Sequence, residues 1–440
     1  MVRRGVKIHT KMSAGDGCFL WSKNDILISF TAKDACKSKN TGKISARDLR
    51  KVVFFENLWD VEIGLIWLFA SRLLDSEKSK SEQQKLRILC VTTVRDEGPY
   101  LLEWIAHHRA AGVTDFLIYA NDCSDGTIEL LKALQQARIV RLVEHKLEKG
   151  NSIQWQALKA AWAHPLTSKA DWVLVSDVDE FLNIKTGNRT IPALINAISP
   201  EADGIVMQWR LFGHNGHVGI RDRLVTEAYT RAIPETATYP ISASLCKTLF
   251  KPNGPFRTYG VHRPQQKPLA KARRPIFVDG SGTFIDQDFA MDEKRISFFG
   301  HKPARDLVEV NHYAVKSVAA FLLKRERGLP NRKKAIDLAY WVDRNFNTVE
   351  DTSISAMSGA TKKVLEELLF MPGVKKLHDD CVKCHQERFN QLVLQPETHS
   401  LMTKLITAGS SEVPPPRLQR RLVAWYHLAQ RTQKDSVEST

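Results

Sequence analysis

From residue 86 onward, apolar runs of strand length alternate with stretches whose apolar positions recur at helical spacing. Leu86–Val94, Phe116–Tyr119, Ile139–Val143 and Trp172–Ser176 read as strands. Between them, Tyr100–Ala111 places Leu101, Trp104, Ile105 and His108 along one side and stops at Gly112, and Thr127–Ala137 and Ser152–Ala163 repeat the helical pattern. This rhythm predicts an α/β domain: a mainly parallel sheet with helices on both faces, joined by right-handed crossovers. Ligands of such a sheet belong at the carboxyl ends of its strands.

Further along, Gly204–Trp209 is another strand and Leu307–Val310 another apolar run, with helices over Ser317–Arg327 and Thr361–Phe370. Residues 211–292, rich in Gly, Pro, His and Arg, predict long loops over one sheet edge that form an acceptor site or lid. After the break at Ser411–Pro416, Leu418, Leu422, Trp425 and Leu428 mark a basic amphipathic tail helix. Residues 1–84 lack clear periodicity and end in a polar linker over 76–84; Ile63–Ala70 reads as a packed or interfacial helix, too short to span a bilayer. The expected organisation is an N-terminal extension over 1–84, a domain over 85–350 with a nucleotide-binding half (85–185) and an acceptor half (186–350), and a helical region with a basic tail over 351–440.

At 440 residues, 43% of them hydrophobic, the chain can bury a large core, and its formal charge of +15 favours anionic partners. Of the seven cysteines, Cys90 lies inside an apolar strand, which favours a reducing compartment. Met1–Arg4 is basic without an apolar core behind it, so no secretory signal is read, and a cytoplasmic protein is expected, with the tail helix suited to the anionic inner face of the cell membrane. Cys381-Val382-Lys383-Cys384-His385 matches a haem-attachment pattern, but its residues also fall on a helix from Asp379 to Leu394, with Cys381, Cys384, Phe389 and Leu392 roughly on one side. The helical reading is preferred.

The chemistry gathers at the strand ends. The first strand leads into Arg95-Asp96-Glu97, the second into Asn121-Asp122-Cys123-Ser124-Asp125-Gly126-Thr127, and the fourth into Asp177-Val178-Asp179-Glu180-Phe181. The second of these also reads as a helix-capping turn. Two carboxylates at i and i+2 past a strand suit Mg²⁺ or Mn²⁺ held against a diphosphate.

In order and spacing, Val94–Glu97, Asn121–Thr127 and Asp177–Phe181 resemble the signature of family-2-type glycosyltransferases with the GT-A fold. The nearest subgroup is that of bacterial capsule and surface-polysaccharide transferases, which Trp209–His217, Val261–Pro264 and Asn311–Ser317 also resemble; the likeness covers roughly residues 87–350. It implies that Arg95, Glu97, Asp122 and Asp125 border the nucleoside pocket, that Asp177 lies near ribose and metal, and that Asp179 and His312 ligate the ion. It further implies a nucleoside-diphosphate sugar donor, a UDP-sugar favoured, and a glycan or lipid-linked acceptor. Lys316, Arg263 and Lys149 are candidates to neutralise the departing diphosphate, and an inverting transfer needs a base, for which Asp222, His217 and His262 stand open.

Two rivals are weighed. Asp-nucleophile phosphatases carry Asp-x-Asp on their first strand, whereas here the pair ends the fourth. A non-catalytic basic glycan- or nucleic-acid-binding protein would use the charge alone; the basic residues are spread without aromatic interleaving, so nucleic acid is not expected as a partner.

Overall fold

The computed structural model describes residues 9–12, 17–21, 27–31, 86–146, 152–220, 222–328 and 336–438. The chain divides into two compact units, Met1–Lys85 and Leu86–Thr440. In the first, β1 (His9–Met12), β2 (Gly17–Trp21) and β3 (Leu27–Thr31) form an antiparallel sheet, with His9 opposite Trp21 and Gly17 opposite Thr31. The helix expected over 63–70 and the linker over 76–84 lie outside the described residues; the described part of this extension is β.

The second unit begins with the predicted alternation. β4 (Ile88–Val94), α1 (Gly98–Ala110), β5 (Asp115–Ala120), α2 (Thr127–Gln136), β6 (Arg141–Glu144), α3 (Ile153–Ala163) and β7 (Trp172–Val175) follow in turn. β4 pairs in parallel with β5 and β7, and β5 in parallel with β6. Side chains of successive strand residues point to opposite faces, and both faces are covered. Cys90, Phe116 and Ile118 pack with Leu101 and Ile105 of α1 and Leu130 and Leu134 of α2. Leu89, Val91, Leu117 and Tyr119 pack with Ala157, Leu158 and Ala161 of α3. Each fully buried Leu or Ile contributes about 1.5–3 kcal/mol, so this two-sided burial fixes the sheet. Gly112 ends α1 at φ +106°, and a Cβ there would lie 3.0 Å from the Pro192 ring.

β8 (Glu180–Ile184), β9 (Gly204–Leu211), β10 (Cys246–Phe250), β11 (Phe277–Asp279) and β12 (Val308–His312) complete a nine-stranded sheet. Its main path runs β6-β5-β4-β7-β10-β9-β12-β8, with β11 parallel to β9. Parallel pairs predominate; β10 is antiparallel to both β7 and β9, and β8 to β12. The stretch 211–292 is therefore not all edge loop. It supplies β10, buried at every residue, to the middle of the sheet. Lys247, the second residue of that strand, hides it from a hydrophobic pattern, because its charge is neutralised only in the fold, by Asp177 at 3.0 Å and Glu180 at 3.2 Å.

The C-terminal helices are α4 (Val318–Arg327), α5 (Ser358–Leu369), α6 (Val374–Leu392), α7 (Pro396–Ala408) and α8 (Pro416–Glu438). α5 and α6 pack on α1, and Leu405 of α7 joins Val318, Phe321 and Trp341 in a separate apolar cluster. The region after 351 is thus helical, as expected, and built into the same unit as the sheet.

Candidate active site

Because β10 reverses direction between β7 and β9, strands β4, β5, β7, β9 and β12 all run the same way and end at one edge. That edge opens on a cavity of about 670 Å³. Thr93, Arg95 and Glu97 reach it from β4, Asn121 from β5, Asp177 and Asp179 from β7, Trp209 from β9 and His312 from β12. Lys324 and Arg327, spaced i and i+3 on α4 and so on one side of it, close the wall, with Tyr340 and Arg344 beyond.

Asp179 is buried, with Oδ2 2.7 Å from the Lys324 ammonium and Oδ1 3.6 Å from Nε2 of His312. Burial pushes its carboxyl up, but Lys324 first and His312 next more than offset this, and the acid is held well below the ordinary range. His312 is lowered by burial, packs its ring 3.9 Å from Trp209 and leaves Nδ1 buried without a partner among the described residues. Asp177 is more open. Its carboxylate accepts from Lys247 at 3.0 Å and from Gln154 at 3.4 Å.

His262 lines the same cavity. Its Nδ1 lies 2.8 Å from the Cys246 carbonyl, which can only accept, so Nδ1 carries the proton and Nε2 keeps its lone pair. Burial pushes this imidazole down to about 4, with Lys247 adding to the effect. Arg263 lines the cavity too, but its guanidinium donates to the carbonyls of Phe289, Ala290, Asp292 and Arg295, which makes it a brace for the loop over 289–295.

Glu97 shares the cleft with Asp179 and pairs with Arg327, which also donates to the carbonyls of Arg95 and Asp96. Asp122 does not line this cavity; it is exposed at φ +45° and, among the described residues, accepts from its neighbour Asn121 alone. Asp125 is elsewhere as well. It is buried, accepts from the first amides of both α1 (Gly98, 3.1 Å) and α2 (Thr127, 2.9 Å), and pairs with His385 of α6 at 2.8 Å, so the capping reading describes its geometry. Lys316 faces a neighbouring cavity. Asp222 is exposed outside the cleft, and His217 bonds the Ala228 carbonyl at 3.0 Å, so of the open base candidates His262 alone reaches it. Lys149 lies outside the described residues.

Lys247, Lys324, Arg327, Arg344 and the half-exposed Trp155 were not anticipated from the sequence. The i, i+3 spacing of Lys324 and Arg327 in a helix opening two residues after Lys316 is the one available signal.

A family model described as glycosyltransferase family 92 matches residues 87–276. A glycosyltransferase family 92 protein of Oryza sativa subsp. japonica is 28% identical over 163 residues, 34% of this chain and 26% of the relative. One from Ricinus communis is 27% identical over 168 residues, 36% of this chain and 29% of the relative. Over this stretch the chain is similar to glycosyltransferases, and it spans less than a third of the length of these relatives. Two structures of S. aureus TarS 1–349, one in complex with UDP, align with TM-scores of 0.28 and 0.27 at 12% and 10% identity, each covering 70% of this chain and 92% of theirs. That likeness is too slight to place any residue. The match to family 92 names a different family from the family-2-type capsule subgroup expected from the motifs.

Proposed function

We propose that this protein is a metal-dependent glycosyltransferase of GT-A type that moves a hexosyl group from a nucleoside-diphosphate sugar, a UDP-sugar first, to a glycan or lipid-linked acceptor, with inversion, in surface-polysaccharide synthesis. The observation that carries the reading is the meeting of Asp177, Asp179 and His312 at one cavity on the carboxyl edge of the sheet. The match to family 92 supports the class of reaction.

Among the described residues, no group of three or more His, Cys, Asp or Glu side chains gathers closely enough to hold an ion by itself. Asp179 and His312 nevertheless offer a carboxylate and an imidazole nitrogen 3.6 Å apart, and Mg²⁺ or Mn²⁺ takes one or two protein ligands when substrate phosphates complete the shell. Those two residues would hold the ion, which when bound supplies Lewis-acid stabilisation of the departing diphosphate.

The chain's own cations do the rest. Lys247 fixes Asp177, and Lys324, Arg327 and Arg344 place positive charge along the wall where the diphosphate would lie. His262 Nε2 takes the acceptor proton as the acceptor oxygen bonds the anomeric carbon and the sugar–phosphate bond breaks, its electron pair leaving with the nucleoside diphosphate. Trp155 offers an aromatic surface to the base.

We assign the reaction to the cytoplasmic side, where exposed Leu418 and Trp425 of α8, beside Arg417 and Arg421, suit an anionic membrane surface. No helix among the described residues is long and apolar enough to cross a membrane. The test is a panel of nucleotide sugars assayed for Mn²⁺-dependent hydrolysis, together with melting in UDP, in Mn²⁺ and in both. Synergy between the two, expected from linkage, supports the reading; melting unchanged by the pair and no donor hydrolysis would refute it.

A further inference from the structure

A second cavity, about 400 Å³, shares Arg95, Glu97, Lys324 and Arg327 with the first and is closed by Tyr100 of α1, one side of α4 and His385 of α6. Its carboxylates are spent. Glu97 pairs with Arg327, Glu326 with Arg388, Asp125 with His385, and Asp96 accepts from the amide and hydroxyl of Ser124.

Of its cations, Lys324, Arg327 and Arg388 are paired as well, whereas Lys316 and Arg95 have no carboxylate partner among the described residues. Lys316 is 4% exposed and held in a left-handed backbone conformation, φ +49°, that a side chain adopts only under constraint. Its ammonium sits 4.4 Å from the centre of the Tyr100 ring, a cation–π contact that stabilises the charge in part. Among the described residues no carboxylate or carbonyl bonds it. Arg95, at the rim, also has no carboxylate partner among them. His385, bound to Asp125 through Nε2, leaves Nδ1 buried without a partner among the described residues. Buried polar atoms of native proteins are normally satisfied, by protein, by water or by a bound ligand.

We propose that this second cavity is a phosphate-ester site, with Lys316 and Arg95 as its cations and His385 Nδ1, which keeps a lone pair because Nε2 donates to Asp125, as an acceptor for a hydroxyl of the ester's organic body. Two unspent positive charges match the charge of a phosphate monoester, close to −2 at neutral pH, whereas a carboxylate would neutralise only one. Leu323, Ala320 and the Tyr100 ring give the organic body an apolar wall. Burial holds the Lys316 ammonium below its ordinary range, and an anion beside it restores the charge. The site stands independently of the donor reading.

Calorimetric titration of the full chain with inorganic phosphate tests it. Saturable binding is expected, weakened at least about tenfold in Lys316→Gln and recovered in Lys316→Arg, since one charge-assisted hydrogen bond is roughly twice as strong as a neutral one. Binding equal to wild type in Lys316→Gln, or none in wild type, overturns the proposal. Should Lys316→Gln fail to fold, Arg95→Gln carries the same expectation with a smaller loss. Arg344→Gln, which alters a cation of the first cavity alone, should keep phosphate binding while weakening that of UDP with Mn²⁺; loss of both would put the phosphate in the first cavity and overturn the second. Glucose 1-phosphate and phosphatidylcholine vesicles containing phosphatidic acid then distinguish the sources. Lys316-dependent displacement of phosphate by either supports the site and marks the ester as soluble or lipid-borne; displacement by neither excludes phosphate esters.

Discussion

The ammonium of Lys324 stands 2.7 Å from Oδ2 of Asp179, the carboxylate that the sequence motif marks for a metal ion. Both partners are buried, and each stabilises the charge of the other: Asp179 is held low and Lys324 is raised. An ion arriving at Asp179 must share that carboxylate with Lys324 or displace it. The pair also links β7 to α4, so the site is part of what holds the domain together.

Asp179→Asn should therefore cost stability as well as transfer. Removing one partner of a buried ion pair leaves an uncompensated charge, at about 3–5 kcal/mol. In urea denaturation the double variant Asp179→Asn with Lys324→Met should recover much of that loss. Additive single effects would mean that the two residues are not coupled. Transfer stays absent in both variants.

His312→Ala should weaken Mn²⁺-dependent UDP binding by about 10–100-fold, the range for disturbing a metal shell. A Mn²⁺ titration that superimposes on wild type would return His312 to a packing role against Trp209.

His262→Gln keeps the ring's size and polarity roughly intact but removes the basic lone pair. Turnover should fall by about 10²–10⁴, the usual contribution of a general base, with donor binding preserved. Asp222→Asn, exposed and outside the cleft, should change turnover little. The reverse ranking would require the loop at 222 to close over the cleft.

Legibility followed the local pattern. Trp172–Val175 and Ile88–Val94 were visible because fully buried parallel strands are continuous apolar runs. The motif at Asp177–Asp179 was visible because it follows such a run. β8 was not, since Glu180 and Asn183 are polar residues buried by partners distant in sequence: Lys247 for the first, Glu309 and Ser353 for the second. Asp122 and Asp125 share one turn of chain, yet one is solvated and the other caps two helices; spacing alone could not separate them. Lys324 and Lys247 reach the site from far along the chain, and their roles come only from topology.

The two buried histidines of α1 should make stability decline with acid, partly offset by Glu103 of the same helix, which burial raises to about 7. Burial lowers His107 to about 4 and His108 to about 3, from 6.5. Between pH 6.5 and about 4 the unfolded chain binds protons that the folded chain does not, so unfolding free energy falls as pH falls, by up to about 1.4 kcal/mol per pH unit per histidine. His108→Gln should flatten the slope in pH-dependent urea midpoints. An unchanged slope would mean that His108 titrates normally.

The docking of α6 on α1 can be tested at Gly98. A Cβ there would lie 2.5 Å from Sγ and 2.7 Å from Cβ of Cys381, and 3.2 Å from Oδ2 of Asp125. Cys381 thus fills the space over the start of α1, which explains the first cysteine of the Cys-x-x-Cys-His run by packing. The histidine of the run is explained by its bond to Asp125. Gly98→Ala should destabilise by about 1–3 kcal/mol, the range for overpacking, and should also loosen the Asp125 cap. Cys381→Gly opens the space at the expense of a helix-interior glycine, about 1 kcal/mol. The double variant should accordingly be more stable than the two single losses added together. If Gly98→Ala shifts the urea midpoint by no more than an ordinary surface change, α6 does not rest on α1 in solution, and the wall that His385 gives the second cavity goes with it.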